Sequence, residues 1–398
     1  MKKDTPKYVL GLGVLFGCLF TVYTPTQAQN APGVTDKEIL IGSCSALEGP
    51  SHFLGTETVA GAKAYFAMIN ESGGVDGRKL KLVAYDDSYD PTKSEACFNR
   101  LMEQKVFALG FFVGTPTAVK YIPMAESNKI PLVGLFTGAQ TLYVPLRHWI
   151  VNVRASYFDE TREQVDGMWG TLGYKKIGVI YPEDAFGAAV LDGVKTALKT
   201  HGAEPVAAAS YQRQTAQVGG AIDTVRAANP DAVVLVGPAN TVAPILKQSH
   251  ARGWKPLFLT VSFVGTDDLI QEAGSDSDGM VITQVVPPYY LTDLKTVALY
   301  RRELTKYIPS AQPNFVSLEG FVDAMVLVEG LKRAGKELTR DGLIRGIESI
   351  HEFEMGLGPQ LKLNYSSKSH KGFDHVLPTV IRGGRAVPFT DWSTATPK

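Results

Sequence analysis

The chain has 398 residues, 44% of them hydrophobic, with 40 basic and 40 acidic side chains. This is the composition of a soluble globular protein, and a net charge of zero supplies no pull toward nucleic acid or an anionic membrane surface, so neither is expected as a partner. The length exceeds what one hydrophobic core comfortably serves, so two domains are expected.

Lys2 and Lys3 precede an apolar run from Tyr8 to Tyr23 that ends in Thr24-Pro25-Thr26-Gln27-Ala28. This is the layout of a secretory signal peptide over residues 1–28, with cleavage expected after Ala28 and a periplasmic or otherwise extracytoplasmic location for the remainder. A spanning helix wants about twenty apolar residues, and this run is shorter and broken by glycines. Leu15-Phe16-Gly17-Cys18 also has the form of a lipoprotein box in which Cys18 would carry the lipid, although Phe16 is bulky and a long apolar tail follows. Beyond it lie Cys44 and Cys97, an even pair in an oxidising compartment. Two readings stay open for them: a disulfide, or two small buried apolar side chains.

From Glu38 onward, short β-branched runs alternate with loops and with stretches of helical apolar spacing, which reads as parallel sheet covered by helices. The first series of strands is Ile39–Cys44, Leu80–Tyr85, Phe107–Val113 and Pro131–Leu135, each nearly continuous in apolar residues, as strands buried on both faces should be. After Trp149–Val153 a second series follows: Lys176–Tyr181, Pro205–Ala209, Ala232–Val236, Leu257–Val261 and Met280–Val285. The clearest helix runs from Asp184 to His201, where Phe186, Val190, Val194 and Leu198 recur every fourth residue, Asp184 takes the N-cap position and Gly202 follows the end. Further helices are expected over 295–306, 315–333 and 339–350, and a last strand over 376–381.

Catalytic and metal patterns are missing. The seven histidines are scattered, no Cys-x-x-Cys occurs, and His351-Glu352 is followed by Met355 where a zinc-protease helix needs its second histidine. No phosphate loop or Gly-x-Ser-x-Gly elbow is present, and Gly11-Leu12-Gly13 falls inside the signal segment rather than between a strand and a helix. A non-enzyme without metal or redox cofactor is expected, with an exported ligand sensor or a secreted α/β enzyme as the alternatives.

In doubly wound sheets, ligands bind outside the carboxyl ends of strands. Those ends carry Ser45 to Ser51, Gly114-Thr115-Pro116-Thr117 and Thr137-Gly138-Ala139 in the first series. Small hydroxyl residues and glycine there let backbone and side-chain donors approach a carboxylate, although each is also an ordinary turn or N-cap residue. The second series offers Tyr181, Phe186, Pro238 to Thr241, Ser262-Phe263 and, later, Tyr289-Tyr290, an aromatic and mostly uncharged wall. Phe186 equally fits the core stripe of its own helix. The candidate ligand-binding residues are Leu54, Gly114, Thr115, Thr137, Gly138, Ala139, Phe186, Ala239, Ser262 and Tyr289.

Several phrases occur together: Ile39-Leu40-Ile41-Gly42, Glu48-Gly49-Pro50, Gly73-Gly74-Val75-Asp76-Gly77-Arg78, Asp86-Asp87-Ser88-Tyr89-Asp90-Pro91, Ile177-Gly178-Val179-Ile180-Tyr181, Asn229-Pro230-Asp231 and Glu319-Gly320-Phe321. In these the chain resembles the leucine/isoleucine/valine-binding family of ABC-transporter solute-binding proteins over nearly all of its length. Physically they are fold signals: helix-ending glycines, tight turns and helix breakers.

The resemblance implies two doubly wound Rossmann-like lobes, the type I periplasmic binding fold, joined by three crossings near Val151–Ala155, Val285–Pro288 and Leu361–Leu363. The lobes would comprise residues 37–152 with 286–360, and 153–285 with 361–398. It further implies delivery of the ligand to an ABC permease, and a ligand carboxylate held by the Gly114-Thr115 and Thr137-Gly138-Ala139 loops; a monomer is expected. Ser262 stands where many amino-acid-binding members place a glutamate facing the ligand ammonium; Glu48, Glu183 and Asp184 are the substitutes in reach, each also readable as a loop or capping charge. The expected ligand is amino-acid-like or another small carboxylate with an apolar or aromatic body.

Overall fold

A computed structural model describes residues 1–8 and 31–395. Most of the apolar leader, with Cys18 and Ala28, lies outside the described residues, and no helix among the described residues is long and apolar enough to cross a membrane.

The first lobe alternates β1 (Glu38–Ser45), α1 (His52–Glu71), β2 (Lys79–Asp86), α2 (Pro91–Glu103), β3 (Ala108–Gly110), α3 (Thr115–Ser127), β4 (Leu132–Val133) and β5 (Ile150–Val151). All five strands run parallel, in the order β2-β1-β3-β4-β5. Asp90 caps α2 by accepting from the Thr92 and Lys93 amides, and Pro91 fills the first helical position, where no N–H is missed.

The second lobe follows with α4 (Tyr157–Asp166), β6 (Ile177–Pro182), α5 (Ala185–Lys199), β7 (Ala207–Tyr211), α6 (Gly219–Ala227), β8 (Ala232–Leu235), α7 (Ala239–Ala251), β9 (Leu257–Val261), α8 (Thr266–Ala273) and β10 (Val281–Gln284). Its parallel strands repeat the same winding, β7-β6-β8-β9-β10. Asp184 caps α5 as its sequence position implies, accepting from the Phe186 and Gly187 amides at 2.8 and 3.0 Å.

The chain then returns to the first lobe with α9 (Lys295–Tyr307), α10 (Phe315–Ala334), α11 (Arg340–Glu348) and a short ribbon of β11 (Phe353–Glu354) and β12 (Lys362–Leu363). A Cβ on Gly61 would stand 1.9 Å from the Ser317 carbonyl oxygen, so only glycine lets α1 and α10 meet backbone to backbone. Finally β13 (Leu377–Arg382) and β14 (Arg385–Pro388) form a hairpin that extends the second sheet antiparallel beside β10.

Three segments thus pass between the lobes. Ala155, Val285 and Val376, one from each, form a small buried apolar cluster of their own. The third crossing falls later than the expected Leu361–Leu363. Leu361, Leu363, Tyr365 and Phe373 pack into the first lobe's core with Phe321 and Leu327 of α10, so the chain leaves that lobe only after Phe373. The burial of these four apolar side chains is what holds the segment back.

Two sequence readings are sharpened. The run Phe107–Val113 forms only a three-residue strand, because Phe111 adopts φ +65° and turns the chain away from the sheet. Cys44 and Cys97 are joined by a disulfide between β1 and α2, with Cα atoms 6.0 Å apart.

Candidate functional site

The carboxyl ends of both parallel sheets face one another. In the order found here, the winding reverses between β1 and β3 in one lobe and between β6 and β8 in the other, and such switch points open a crevice beyond the strand ends. Gly114 lies at the first of them, capping α3 with φ +99°. A Cβ there would fall 1.9 Å from Cε2 of Tyr89, so glycine is required both by the backbone angle and by the ring laid against it.

Thr115 opens α3, and its Oγ1 lies 2.7 Å from Thr137 Oγ1, beyond the end of β4. The Tyr157 hydroxyl, from the start of α4, donates to Thr137 Oγ1 at 3.3 Å, while the Tyr157 amide donates to the Gly138 carbonyl at 2.7 Å. Thr115, Thr137 and Tyr157 are each 2% exposed or less, so three hydroxyls converge in the interior between the lobes. The Tyr89 hydroxyl is also buried and has no hydrogen-bond partner among the described residues. Burial raises the Tyr157 phenol to about 12 against the opposing charge of Arg154, and it stays a neutral donor at neutral pH.

Aromatic rings close around these hydroxyls. Phe263, just beyond β9, has its ring 4.5 Å from Phe186, 5.6 Å from Phe136 and 5.8 Å from Tyr89, and Phe186 lies 5.3 Å from Tyr157. Phe136 and Tyr89 belong to the first lobe and Phe186 and Phe263 to the second, so the lobes meet ring on ring. Tilted arrangements at such separations are favourable for paired aromatic faces and edges.

A buried charge network lies beside the rings. Arg154, in the first crossing, is 1% exposed; its Nη2 lies 3.3 Å from Glu160 Oε1 and its Nη1 3.2 Å from Glu319 Oε1, the latter without an aligned hydrogen bond. Glu160 belongs to α4 and Glu319 to α10, so one guanidinium ties the second lobe to the first. Its carbon also lies 5.1 Å from the Phe136 ring centre. Burial raises the Glu160 carboxyl, and Arg154 and the hydrogen bonds from Ser262 and Thr283 oppose the rise. Further out, Arg213 pairs with Asp184 at 3.0 Å, donates to the Tyr89 carbonyl of the opposite lobe and stacks 4.4 Å from the Tyr89 ring centre.

The residues singled out from the sequence are brought together in part. Gly114, Thr115, Thr137, Gly138 and Phe186 meet at the convergence just described. Ala139 and Leu54 are buried in the same apolar cluster, with Leu54 set against Gly265 of the second lobe. Ser262 is 6% exposed and turned into the charge network: its amide donates to Glu160 Oε2 at 2.7 Å and its hydroxyl to Oε1 at 3.0 Å. Phe186 is both stripe and wall, fully buried along α5 and in contact with Tyr157 and Phe263.

Two residues stand apart. Ala239 packs in the second lobe's outer core with Tyr211, Val242 and Leu235. Tyr289 sits at the second crossing, where its hydroxyl donates to Asp267 at 2.8 Å and its ring lies against Phe315. Of the acidic substitutes considered, Glu48 and Glu183 are exposed and Asp184 is held by its helix cap and Arg213.

Sequence reading did not select Tyr89, Phe136, Arg154, Tyr157, Arg213 or Phe263 as site residues. Phe263 carried a signal, adjoining Ser262 at a strand end; the rest arrive through contacts between segments far apart in the chain. Among the described residues no group of three or more His, Cys, Asp or Glu is placed to hold a metal ion. A surface concavity of about 530 Å³ lined by Tyr174, His250, Asp276 and Met280 lies at the opposite, N-terminal ends of the second lobe's strands, away from the crevice.

Residues 38–375 match the family model described as periplasmic binding protein. An amino acid binding protein of Pseudomonas aeruginosa is 26% identical over 267 residues, 65% of this chain and 70% of its own length. The Leu/Ile/Val-binding protein of Escherichia coli K12 is 22% identical over 280 residues, 69% of this chain and 73% of that one. Among solved structures, one described as a possible leucine/isoleucine/valine-binding protein from Rhodopirellula baltica shares the fold with a TM-score of 0.85 at 31% identity, covering 92% of this chain and 99% of its own. With a family match along most of its length and the two-lobed type I fold in common with these neighbours, the chain belongs to the periplasmic binding protein family.

Proposed function

We propose that this protein is the extracytoplasmic solute-binding component of an ABC importer, which closes its two lobes over a small carboxylate with an apolar or aromatic body and delivers it to a membrane permease. The observation that carries this reading is the convergence of the Thr115, Thr137 and Tyr157 hydroxyls, all buried between the lobes and walled by aromatic rings from both. Hydroxyls and the first amides of α3 supply donors for an anion, and the rings supply a dry wall for its body. The amino acid binding relative from Pseudomonas aeruginosa supports a carboxylate-bearing cargo.

The ligand contacts in this reading are Leu54, Gly114, Thr115, Thr137, Gly138, Ala139 and Phe186, joined by Tyr89, Tyr157 and Phe263. The lobes are residues 37–152 with 286–373, and 153–285 with the C-terminal hairpin. The protein works as a monomer in the periplasm after removal of residues 1–28; lipid attachment at Cys18 is the lesser alternative. No chemistry is required. Ligand stabilises the closed form only by the amount by which it prefers that form to the open one.

A thermal-shift screen of the purified protein against amino acids, alkyl and aryl carboxylates and their neutral amides tests this. A ligand at one hundred times its dissociation constant adds about 2.7 kcal/mol of stability, a shift such a screen reads easily. Carboxylates should raise the melting temperature and the matching amides should not. Stabilisation by the amides alone would contradict a carboxylate cargo.

A further inference from the structure

We infer that the cargo is a carboxylate with no α-ammonium group, an alkanoate or aryl alkanoate rather than an amino acid; the inference deepens the proposed function and rests on it. An ammonium taken from water into a closed cleft needs a carboxylate, or acceptors for its three N–H groups, to offset the lost hydration. The two acids of the second lobe nearest the rings, Glu160 and Asp184, have both oxygens engaged by the protein itself.

Glu160 receives the Ser262 amide and the Thr283 hydroxyl on Oε2, at 2.7 and 2.8 Å, and the Ser262 hydroxyl and the Arg154 guanidinium on Oε1, at 3.0 and 3.3 Å. Asp184 spends Oδ1 on the Phe186 and Gly187 amides and Oδ2 on Arg213. Glu319 lies 3.2 Å from Arg154 Nη1, facing its charge without an aligned hydrogen bond. Asp87 accepts the Tyr89 amide on Oδ1 within the first lobe, its buried Oδ2 having no hydrogen-bond partner among the described residues, and Asp267 holds the Tyr289 hydroxyl and the Phe315 amide.

The ring faces are occupied in the same way. An aromatic wall can host a cation on its π faces, but here Arg154 stands over Phe136 and Tyr157, and Arg213 over Tyr89. A ligand ammonium would therefore be set beside two guanidinium groups that already face the acids nearest the rings, Glu160, Glu319 and Asp184. A carboxylate finds donors still open: the Tyr89 hydroxyl and the Arg154 Nε and Nη1 have no hydrogen-bond partner among the described residues, and the Thr115, Thr137 and Tyr157 hydroxyls, which bond one another, keep one proton to give.

Calorimetric titration of the purified protein with matched pairs separates the two cases: 3-phenylpropanoate against phenylalanine and 4-methylpentanoate against leucine, with 3-phenylpropanamide as the neutral control. In at least one pair the acid lacking the amino group should bind about 100-fold more tightly or better. Equal or tighter binding by the amino acids overturns the inference and leaves the carboxylate reading standing. Binding by the amide with both acids silent, or silence from every compound, overturns the carboxylate reading and the inference together.

Discussion

Ser262 gives both of its polar groups to a single carboxylate, its amide to Glu160 Oε2 at 2.7 Å and its hydroxyl to Oε1 at 3.0 Å. The strand end that faces the crevice is thereby locked to α4 of its own lobe. Through Arg154 the lock extends to Glu319 on α10 of the first lobe. The closed arrangement is held by a buried ion-pair chain as well as by ring contacts, and its members set the first expectations for mutants.

Arg154→Met removes the one cation from between Glu160 and Glu319 and leaves two buried carboxylates facing each other. Deleting one partner of a buried pair costs about 3–5 kcal/mol. Urea titration should show a loss of that order; a loss under about 1 kcal/mol would mean that the network contributes little to the closed fold.

Burial pushes the Glu319 carboxyl up to about 7, with Arg154 opposing the rise and Glu160 adding to it. A carboxyl whose pKa is raised by folding contributes its stability in full below the unfolded value near 4.5, and that contribution is lost as pH climbs through about 7. Glu319→Gln carries no such charge. Its stability relative to the parent should improve steadily from pH 4.5 to pH 8, measured by denaturant unfolding at each pH. A difference that does not vary with pH contradicts the assignment.

Gly114→Ala places a methyl where Tyr89 Cε2 now lies and forces a non-glycine residue to φ +99°. Strain of this kind costs about 1–3 kcal/mol, and displacement of the Tyr89 ring should weaken ligand binding in addition. Unchanged melting temperature and unchanged affinity together would show that the loop relaxes freely.

The disulfide between Cys44 and Cys97 spans a sequence separation of 53 residues and ties β1 to α2. Replacing both cysteines with alanine should lower stability by about 2–4 kcal/mol, the usual range for a bridge that limits the unfolded chain. Denaturant curves with and without reductant check this: reductant should lower the parent to the level of the double variant and leave the variant where it was.

Much of the fold was legible in the chain. Strands such as Leu257–Val261, apolar but for Thr260, come out buried along their whole length, and Asp184 and Gly202 bracket a helix where the four-residue apolar spacing requires one. Local chemistry decides such features. Phe111 was not legible, because its positive φ is imposed by its surroundings and not by its own preference. The third crossing was placed too early because the packing of Leu361, Leu363, Tyr365 and Phe373 on α10 is a tertiary choice. At the site, the threonine and glycine loops announced themselves at strand ends. Arg154 and Arg213 did not, since an isolated arginine in a sequence carries no mark of the acids and rings it will meet, and Ala239 and Tyr289 shared the strand-end signal without joining the cluster.

The central claim is that the crevice hydroxyls hold the cargo, and the most direct measurement compares the parent with the Thr115→Val/Thr137→Val double variant, using the carboxylate that stabilises the parent most in the screen. Each lost hydroxyl contact should weaken binding by about 1–2 kcal/mol. The account predicts a dissociation constant raised by roughly thirty- to a thousand-fold in calorimetry, while the unliganded variant still unfolds in one cooperative transition. Unaltered affinity in the folded double variant would place the cargo elsewhere and contradict it.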